Sequence, residues 1–342
     1  MIGRRNLLAN GLGRLGAIQA IGAFRAKFSS GIPILAYHRI LDVPDECSFP
    51  FDIELVSASV AAFESQMEYI KERFKPISFA TLLQYLDRGD TPPPGSIIVT
   101  FDDGFSDNYY NAFPVLKRLD IPATIFLSSG YVENHEMFWY EKLCFAIMTT
   151  KVKFIAAPDL PGIPIHGTPA SRRIAMNVLM RRLKTIKNEA RVRLLDDIFG
   201  QLLADHDSFV HGNSCSITWD QAREMSAHQI EFGSHSVTHP VLSMLDETSL
   251  KYELEHSKLQ IESALNKPVQ VVAYPVGGGE AFNEKVRNAT QVAGYRLGVS
   301  YISGVDKPAQ WDAYAVRRLH VERYVDLPYF KAMLAIPEWF AY

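Results

Sequence analysis

The stretch GSIIVTFDDG, residues 95–104, sets two aspartates at the end of a short apolar run and follows them with a glycine. The run SIIV predicts a buried strand, which the chain enters through the breaker TPPPG. In parallel α/β architectures the carboxyl ends of the strands carry the chemistry, and Asp102 and Asp103 lie at such an end. Adjacent side chains on an extended chain point in opposite directions, so the two carboxylates can take different roles.

From residue 31 onward, short apolar runs alternate with helical patterns, as expected of βα units around a parallel sheet. The further predicted strands are IPILAYHRI (32–40), IPATIFLSSG (121–130), QIEFGSH (229–235), VQVVAYP (269–275) and YRLGVSY (295–301). The predicted helices are SVAAFESQMEYIKERF (59–74), NAFPVLKRLD (111–120) and SLKYELEHSKLQIESAL (249–265). Several βα units in one chain of 342 residues indicate a barrel.

Composition excludes several classes of protein. A hydrophobic fraction of 47% argues against disorder, and a formal net charge of −3 gives no general field for nucleic acid, so no nucleic-acid partner is expected. The sequence contains no run of 18 apolar residues, the length needed to span a bilayer. Three widely spaced cysteines (Cys47, Cys144 and Cys215) form neither a disulfide framework nor a thiolate metal site, which favours a reducing compartment.

Residues 1–30 carry five basic residues, no acidic residue and recurring leucine, isoleucine and phenylalanine. This pattern is typical of a peripheral membrane helix and favours a cytoplasmic protein at the inner face of the membrane. Two alternatives stay open: an export signal, since GRRNLL is similar to a twin-arginine signal and would place the protein in the periplasm, and a plain packing helix.

Residues 31–342 are predicted to form the barrel, but residues of about 133–215 do not follow its alternation of strands and helices. They combine a Pro/Gly-rich stretch with a long basic helical run. An excursion of this length with helices of its own indicates a functional, mainly helical insertion, either a lid or a second membrane contact. A solvated helical hairpin is an equally weighted alternative.

A second motif follows the strand QIEFGSH. In EFGSHSVTHP, residues 231–240, His235 and His239 lie four apart at a predicted strand end. Two imidazoles and one carboxylate are a common ligand set for a catalytic divalent metal, which keeps an open position for water. Each motif alone is a weak signal, but the two at neighbouring strand ends together predict a metal site.

TFDDG and HSVTHP resemble the first two motifs of the polysaccharide deacetylases, carbohydrate esterase family four, which include the chitooligosaccharide and nodulation-type deacetylase domains. The resemblance extends through ILAYHRI, FESQMEYI, PATIFL, TWDQAREM and AYPVGG, and it is to a branch with an N-terminal YH strand. It implies a distorted (β/α)7-type barrel that hydrolyses the N-acetyl group of a hexosamine with a divalent metal, usually Zn²⁺, with Co²⁺ or Ni²⁺ as alternatives.

The same resemblance implies roles for individual residues. Asp102 would be the general base, and Asp103, His235 and His239 would hold the metal. A metal ion lowers the pKa of bound water to about 7, and a backbone N–H such as that of Tyr274 would help stabilise the oxyanion.

The leaving amine requires an acid, for which His38 of the YH strand is favoured over His320 of RRLHVER. The family's arginine-containing third motif is replaced by VVAYPVGGGEAF, residues 271–282. Substrate contacts are therefore assigned only to Pro275 and Arg318. Arg317 or Arg318 could instead tune Asp102, or both could be surface arginines.

Three functions are compatible with these residues. The favoured one is a metal-dependent deacetylase that acts on a surface glycan or its lipid-linked precursor, with a carbohydrate as its partner. The alternatives are a hydrolase of another non-peptide C–N bond on the same fold and an inactive carbohydrate-binding barrel. The complete set of two aspartates and two histidines argues against the inactive barrel.

Overall fold

The computed structural model describes residues 31–134, 136–156, 162–165, 167–202 and 215–340, together with Ile18, Ile21, Gly22 and Arg25. Among the described helices, none has the length and apolar character that crossing a membrane would require. Ile18 is buried in the main core and Arg25 donates to the Glu338 carboxylate, so these two residues contact the barrel. The membrane and export predictions for the rest of residues 1–30 lie outside the described residues.

Seven parallel strands close into a barrel in the order of the chain. They are β1 (Ile34–Tyr37), β2 (Ser96–Phe101), β3 (Ala123–Leu127), β4 (Ile230–Ser234), β5 (Val271–Ala273), β6 (Leu297–Ser303) and β7 (Val316–His320). Each strand pairs with the next, and β7 pairs with β1 through the register Leu35↔Leu319 and Ala36↔His320. The predicted distorted (β/α)7-type barrel is confirmed.

Helices pack around this barrel and in the excursion from it. They are α1 (Val60–Arg73), α2 (Phe79–Asp87), α3 (Phe113–Leu119), α4 (Trp139–Thr149), α5 (Pro169–Thr185), α6 (Asn188–Leu202), α7 (Trp219–Ser226), α8 (Glu247–Leu265), α9 (Glu284–Val292), α10 (Leu327–Ala335) and α11 (Pro337–Phe340). The Ser59 hydroxyl caps α1 by accepting from the N–H of Ala62, which explains where that helix begins.

Alternation along the strands decides which side chains point into the barrel. Ile97 and Val99 of β2 pack in the main core with the surrounding helices, whereas Ile98 belongs to a second cluster. That second cluster includes Phe126 of β3 and Val316 of β7. The second cluster lies inside the barrel, so Ile98 points inward. Because side chains alternate between the faces of a strand, Thr100, two residues further along β2, points inward as well.

The described residues between 133 and 215 form a mainly helical unit with its own apolar core. It contains α4, a short antiparallel pair (Phe154–Ile155 with Ile163–Pro164), α5 and α6. Their buried side chains form a separate cluster that also includes Phe105, which follows β2. The chain leaves and re-enters the barrel at the bridge between Met137 and Cys215. We call this unit the insertion.

The insertion is tied to the barrel by a buried charge network. Arg39, which follows β1, is fully buried and donates to Asp107 at 2.8 Å and to Glu141 of α4 at 3.0 Å. Glu141 also accepts from the backbone N–H of Asp52 at 2.8 Å. Burial raises the pKa of Glu141 to about 7, against the opposing charge of Arg39. The start of α4 is therefore fixed against the end of β1.

Candidate active site

A cleft of about 380 Å³ opens at the carboxyl end of the barrel. The strands are parallel, so Asp102 and Asp103 after β2 and His235 after β4 meet there. The barrel contributes His38, Asp102, Asp103, His235, His239, Tyr274, Val276 and Tyr301 to its lining, and the insertion contributes Trp139, Tyr140, Met180 and Lys184. The geometry brings together the residues of both sequence motifs and adds a wall that neither motif contains.

Asp103, His235 and His239 form a compact group of ligand atoms. The Oδ1 atom of Asp103 lies 3.4 Å from Nε2 of His235 and 3.3 Å from Nε2 of His239. The three ligand atoms all lie within 4.8 Å of one another, and all three residues are buried. A carboxylate oxygen and two imidazole nitrogens at this spacing match the three-ligand set of a divalent catalytic metal.

The hydrogen bonding and protonation of these atoms also suit a bound metal ion. Oδ1 of Asp103 is buried and accepts no hydrogen bond from the residues that the structure describes. Nδ1 of His235 donates to the carbonyl of Ala273 at 2.8 Å, which leaves the lone pair on Nε2. Burial lowers the pKa of His235 to about 4, so its imidazole is neutral near pH 7, as a ligand must be.

Backbone strain is concentrated beside this group. Asp103, Ser236, His239 and Val276 all have positive φ angles, between 54° and 71°. Such angles cost free energy for residues other than glycine and are found where a site demands them. The Glu253 carboxylate of α8 accepts from the N–H groups of residues 237 and 238 at 2.7 and 2.9 Å and so holds the loop between the two histidines.

Asp102 is paired with a buried arginine. Nη1 and Nη2 of Arg318 each donate to one oxygen of Asp102 at 2.7 Å, and Arg318 also donates to Thr100 and to the carbonyl of Ser300. Burial alone would raise the pKa of Asp102, but the Arg318 guanidinium outweighs burial and lowers it. Asp102 therefore stays ionised near neutral pH. Arg317, in contrast, forms an exposed pair with Asp306.

The predicted substrate contact of Arg318 is wrong. Its guanidinium is fully buried and engaged with Asp102, Thr100 and Ser300, so it cannot reach a ligand. The alternative, that Arg318 tunes Asp102, agrees with the geometry. Pro275 is buried and is not among the described residues that line the cleft, so its substrate contact stays a prediction.

The two candidate acids differ in position and surroundings. His38 lines the cleft, and its Nε2 lies 4.0 Å from Oδ2 of Asp102. His320 stacks on Tyr301 with ring centroids 3.5 Å apart and is not one of the described residues that line the cleft. Burial, followed by the charge of Arg318, lowers the pKa of His320 to about 3. His320 therefore carries no acidic imidazolium near neutral pH.

The backbone N–H of Tyr274, the predicted oxyanion donor, is already engaged in the strand ladder. The backbone N–H of Tyr274 donates to the carbonyl of Val299 at 3.1 Å, because the pairing of β5 with β6 continues past Ala273. Val276 lies in the cleft lining, and its N–H has no hydrogen-bond acceptor among the described residues. A β-branched residue with φ of 64° is a strained position, and the turn it creates carries this N–H beyond the strand ladder.

Tyr140 enters the site from α4 and was not predicted from the sequence. Its ring lies 4.9 Å from that of His239, and the indole N–H of Trp139 donates to the carbonyl of His239 at 3.0 Å. Burial and then the charge of Asp103 raise the pKa of Tyr140 well above its ordinary value. No motif signals this contact, because about one hundred residues separate its partners.

Comparisons with known proteins agree with this site. The sequence profile described as "Polysaccharide deacetylase" matches residues 89–159 and 194–298, about half of the chain. The Bacillus subtilis protein YxkH, whose name assigns it provisionally to the polysaccharide deacetylases, is 22% identical over 296 residues, which cover 85% of this chain and 71% of that protein. A Staphylococcus aureus poly-beta-1,6-N-acetyl-D-glucosamine N-deacetylase is 33% identical over 105 residues, 29% of this chain and 36% of that protein.

Among solved structures, the Streptococcus pyogenes deacetylase PplD in complex with acetate superposes with a TM-score of 0.59 at 19% identity. The match covers 89% of this chain and 96% of that chain, and it shows the shared fold. The barrel, the two motifs at its carboxyl end and the matching profile lead to one conclusion. The chain belongs to the polysaccharide deacetylase family and is a hydrolase of carbon–nitrogen bonds other than peptide bonds.

Proposed function

We propose that this protein is a metal-dependent N-deacetylase that hydrolyses the acetamide of an N-acetylhexosamine in a surface glycan. The observation that carries the proposal is the group of Asp103, His235 and His239 beside the ionised Asp102 in one cleft. The name of the Staphylococcus aureus relative supports a poly-N-acetylglucosamine substrate, and the acetate in the PplD complex is the product expected of deacetylation.

The reaction adds water across the C–N bond and yields acetate and a free amine. When bound, a divalent ion such as Zn²⁺ lowers the pKa of water and polarises a carbonyl. Asp102 takes the proton of the attacking water, because Arg318 keeps its carboxylate ionised. The N–H of Val276 donates to the oxygen on which negative charge develops. His38 gives a proton to the leaving nitrogen.

Acetate release from purified protein tests this function. The substrate panel contains β-1,6-linked poly-N-acetylglucosamine, chitooligosaccharides and lipid-linked N-acetylhexosamine, together with cyclic imides for the alternative C–N hydrolase. We expect equal amounts of acetate and free amine from a glycan, lost on chelation and restored by Zn²⁺, Co²⁺ or Ni²⁺. Ring opening of an imide without acetate from any glycan would overturn the proposal.

Replacement of the two histidines identifies the acid. His38→Ala is expected to lower kcat by about 100-fold or more, because general acid catalysis contributes about 10²–10⁴. His320→Ala should have a much smaller effect on chemistry, since His320 is buried against Tyr301 and uncharged near neutral pH. A substrate with an activated leaving group should restore the His38→Ala rate. The reverse ranking of the two variants would reassign the acid to His320.

We also infer that the protein works at the inner face of the membrane, where a lipid-linked precursor is available. The basic segment of residues 1–30 supports this location. Replacing Arg4, Arg5 and Arg14 with glutamine leaves the contacts of Ile18 and Arg25 intact and should move the protein from the membrane to the soluble fraction. Unchanged fractionation would contradict this location, and a mature N-terminus beyond residue 30 would indicate export.

A further inference from the structure

The insertion places one tyrosine hydroxyl inside the catalytic cleft. Tyr140 is the second residue of α4, and it lines the cleft together with Asp103, His235 and His239. The side chain is 5% exposed. It therefore belongs to the floor of the site and not to its rim.

The ring of Tyr140 is held on several sides. It stacks on Phe138 with centroids 5.4 Å apart at 12°, and it meets the edge of Trp139 at 5.5 Å. Trp139 is in turn fixed to the carbonyl of His239 by its indole N–H. Glu141, the next residue, is tied to Arg39 of the barrel. These contacts leave the hydroxyl little freedom to turn away from the metal-ligand group.

The hydroxyl lies near the Asp103 carboxylate, whose charge helps raise its pKa, but it makes no hydrogen bond of ordinary geometry to any residue that the structure describes. Other buried tyrosines do have acceptors: Tyr37 donates to Gln66, Tyr274 to the carbonyl of Tyr314, Tyr295 to that of Leu254 and Tyr329 to that of Phe340. A buried polar group is normally hydrogen-bonded, so an exception in a binding cleft points to an acceptor that arrives with the ligand.

The substrate of the proposed reaction brings such an acceptor. The acetyl oxygen gains negative charge as water attacks, and a fixed donor aimed at that oxygen stabilises the charged state more than the ground state. A phenol is a donor near neutral pH, because its ordinary pKa is about 10. Val276, whose N–H also has no acceptor among the described residues, lines the same cleft from the end of β5.

We propose that Tyr140 is a catalytic residue whose hydroxyl donates a hydrogen bond to the acetyl oxygen of the substrate. The insertion thereby supplies a residue to the reaction centre of the barrel, in addition to lining one wall of the cleft. This inference rests on the proposed deacetylase function. It also predicts that acetate, the product, binds through the same hydroxyl.

Tyr140→Phe removes this donor and preserves the ring. We expect kcat to fall about 10- to 100-fold with KM within about threefold, because the bond strengthens as charge develops. Acetate should bind the metal-loaded variant several-fold more weakly, measured by calorimetry or product inhibition. Metal content should be unchanged, and the thermal midpoint of the metal-free protein should not fall, because the hydroxyl makes no hydrogen bond of ordinary geometry to a described residue.

Tyr131→Phe is the matched control. Tyr131 belongs to the same aromatic group, 4.6 Å from Phe138, and is not among the described residues that line the cleft. It should leave kcat and acetate binding unchanged.

Three results for Tyr140→Phe would overturn the inference: an unchanged kcat, loss of metal, which would show that the hydroxyl positions Asp103, or a lower thermal midpoint of the metal-free protein. If wild type itself releases no acetate from any glycan, it is the proposed function that fails. Acetate binding to the loaded proteins would still test the donor.

Discussion

His235→Ala is expected to remove the bound metal and to lower kcat/KM for acetate release by about 1000-fold or more, since the metal supplies several kcal/mol of transition-state stabilisation. Only Asp103 and His239 would remain of the three ligands. Inductively coupled plasma mass spectrometry should find about one ion per chain in the wild type and almost none in the variant. The same variant should retain its fold, because the substitution removes a single hydrogen bond to the barrel, the one between Nδ1 of His235 and the carbonyl of Ala273.

A second histidine provides the control for this experiment. His228 is exposed at the end of α7, and its ring lies 5.9 Å from that of Phe113. His228→Ala should keep both the metal and the activity. Retention of stoichiometric metal by His235→Ala would place the ion elsewhere and contradict the proposed ligand set. Activity of the chelated wild type would contradict metal dependence itself.

The sequence predicts those side chains of the site that belong to short contiguous motifs at the ends of strands. Asp102, Asp103 and His235 directly follow apolar strands, and parallel strands bring their carboxyl ends together. His239 lies four residues beyond His235 in the same turn. The periodic patterns also located α1 and α8, whose buried positions follow the helical repeat. These inferences need only local sequence and the barrel topology.

The rest depends on contacts between distant residues. Strand β7 reads VRRLH, and its apolar pattern is broken because Arg318 fills an inward position and pairs with Asp102, 216 residues away. The pairing of β5 with β6 extends far enough to engage the N–H of Tyr274, whereas the N–H of Val276 has no acceptor among the described residues. Tyr140 reaches the site through a helix of the insertion, for which no spacing rule exists.

Arg318→Met should inactivate the enzyme near neutral pH and destabilise it. The substitution leaves the carboxylate of Asp102 buried and without its guanidinium, and breaking a buried ion pair in this way costs about 3–5 kcal/mol of unfolding free energy. We expect kcat/KM at pH 7 to fall by about 1000-fold. Urea unfolding and acetate release measure the two effects. Arg317→Met, on the same strand but in an exposed pair with Asp306, should change the unfolding free energy by about 1 kcal/mol or less.

The pH dependence separates this role of Arg318 from a merely structural one. Arg318 lowers the pKa of Asp102, so its stabilising contribution is present above the unfolded pKa of about 4 and is lost as pH falls through the lower folded value. Without the guanidinium, burial dominates and raises the pKa of Asp102. The acidic limb of the pH profile of kcat/KM should then move to higher pH, with partial recovery of activity in alkaline buffer. The loss of unfolding free energy relative to wild type should shrink in acid.

Adding Asp102→Asn to Arg318→Met should restore stability without activity, because a neutral amide needs no counter-charge but cannot accept the proton of water. An acidic limb that stays in place in Arg318→Met would show that another group sets the ionisation of the base.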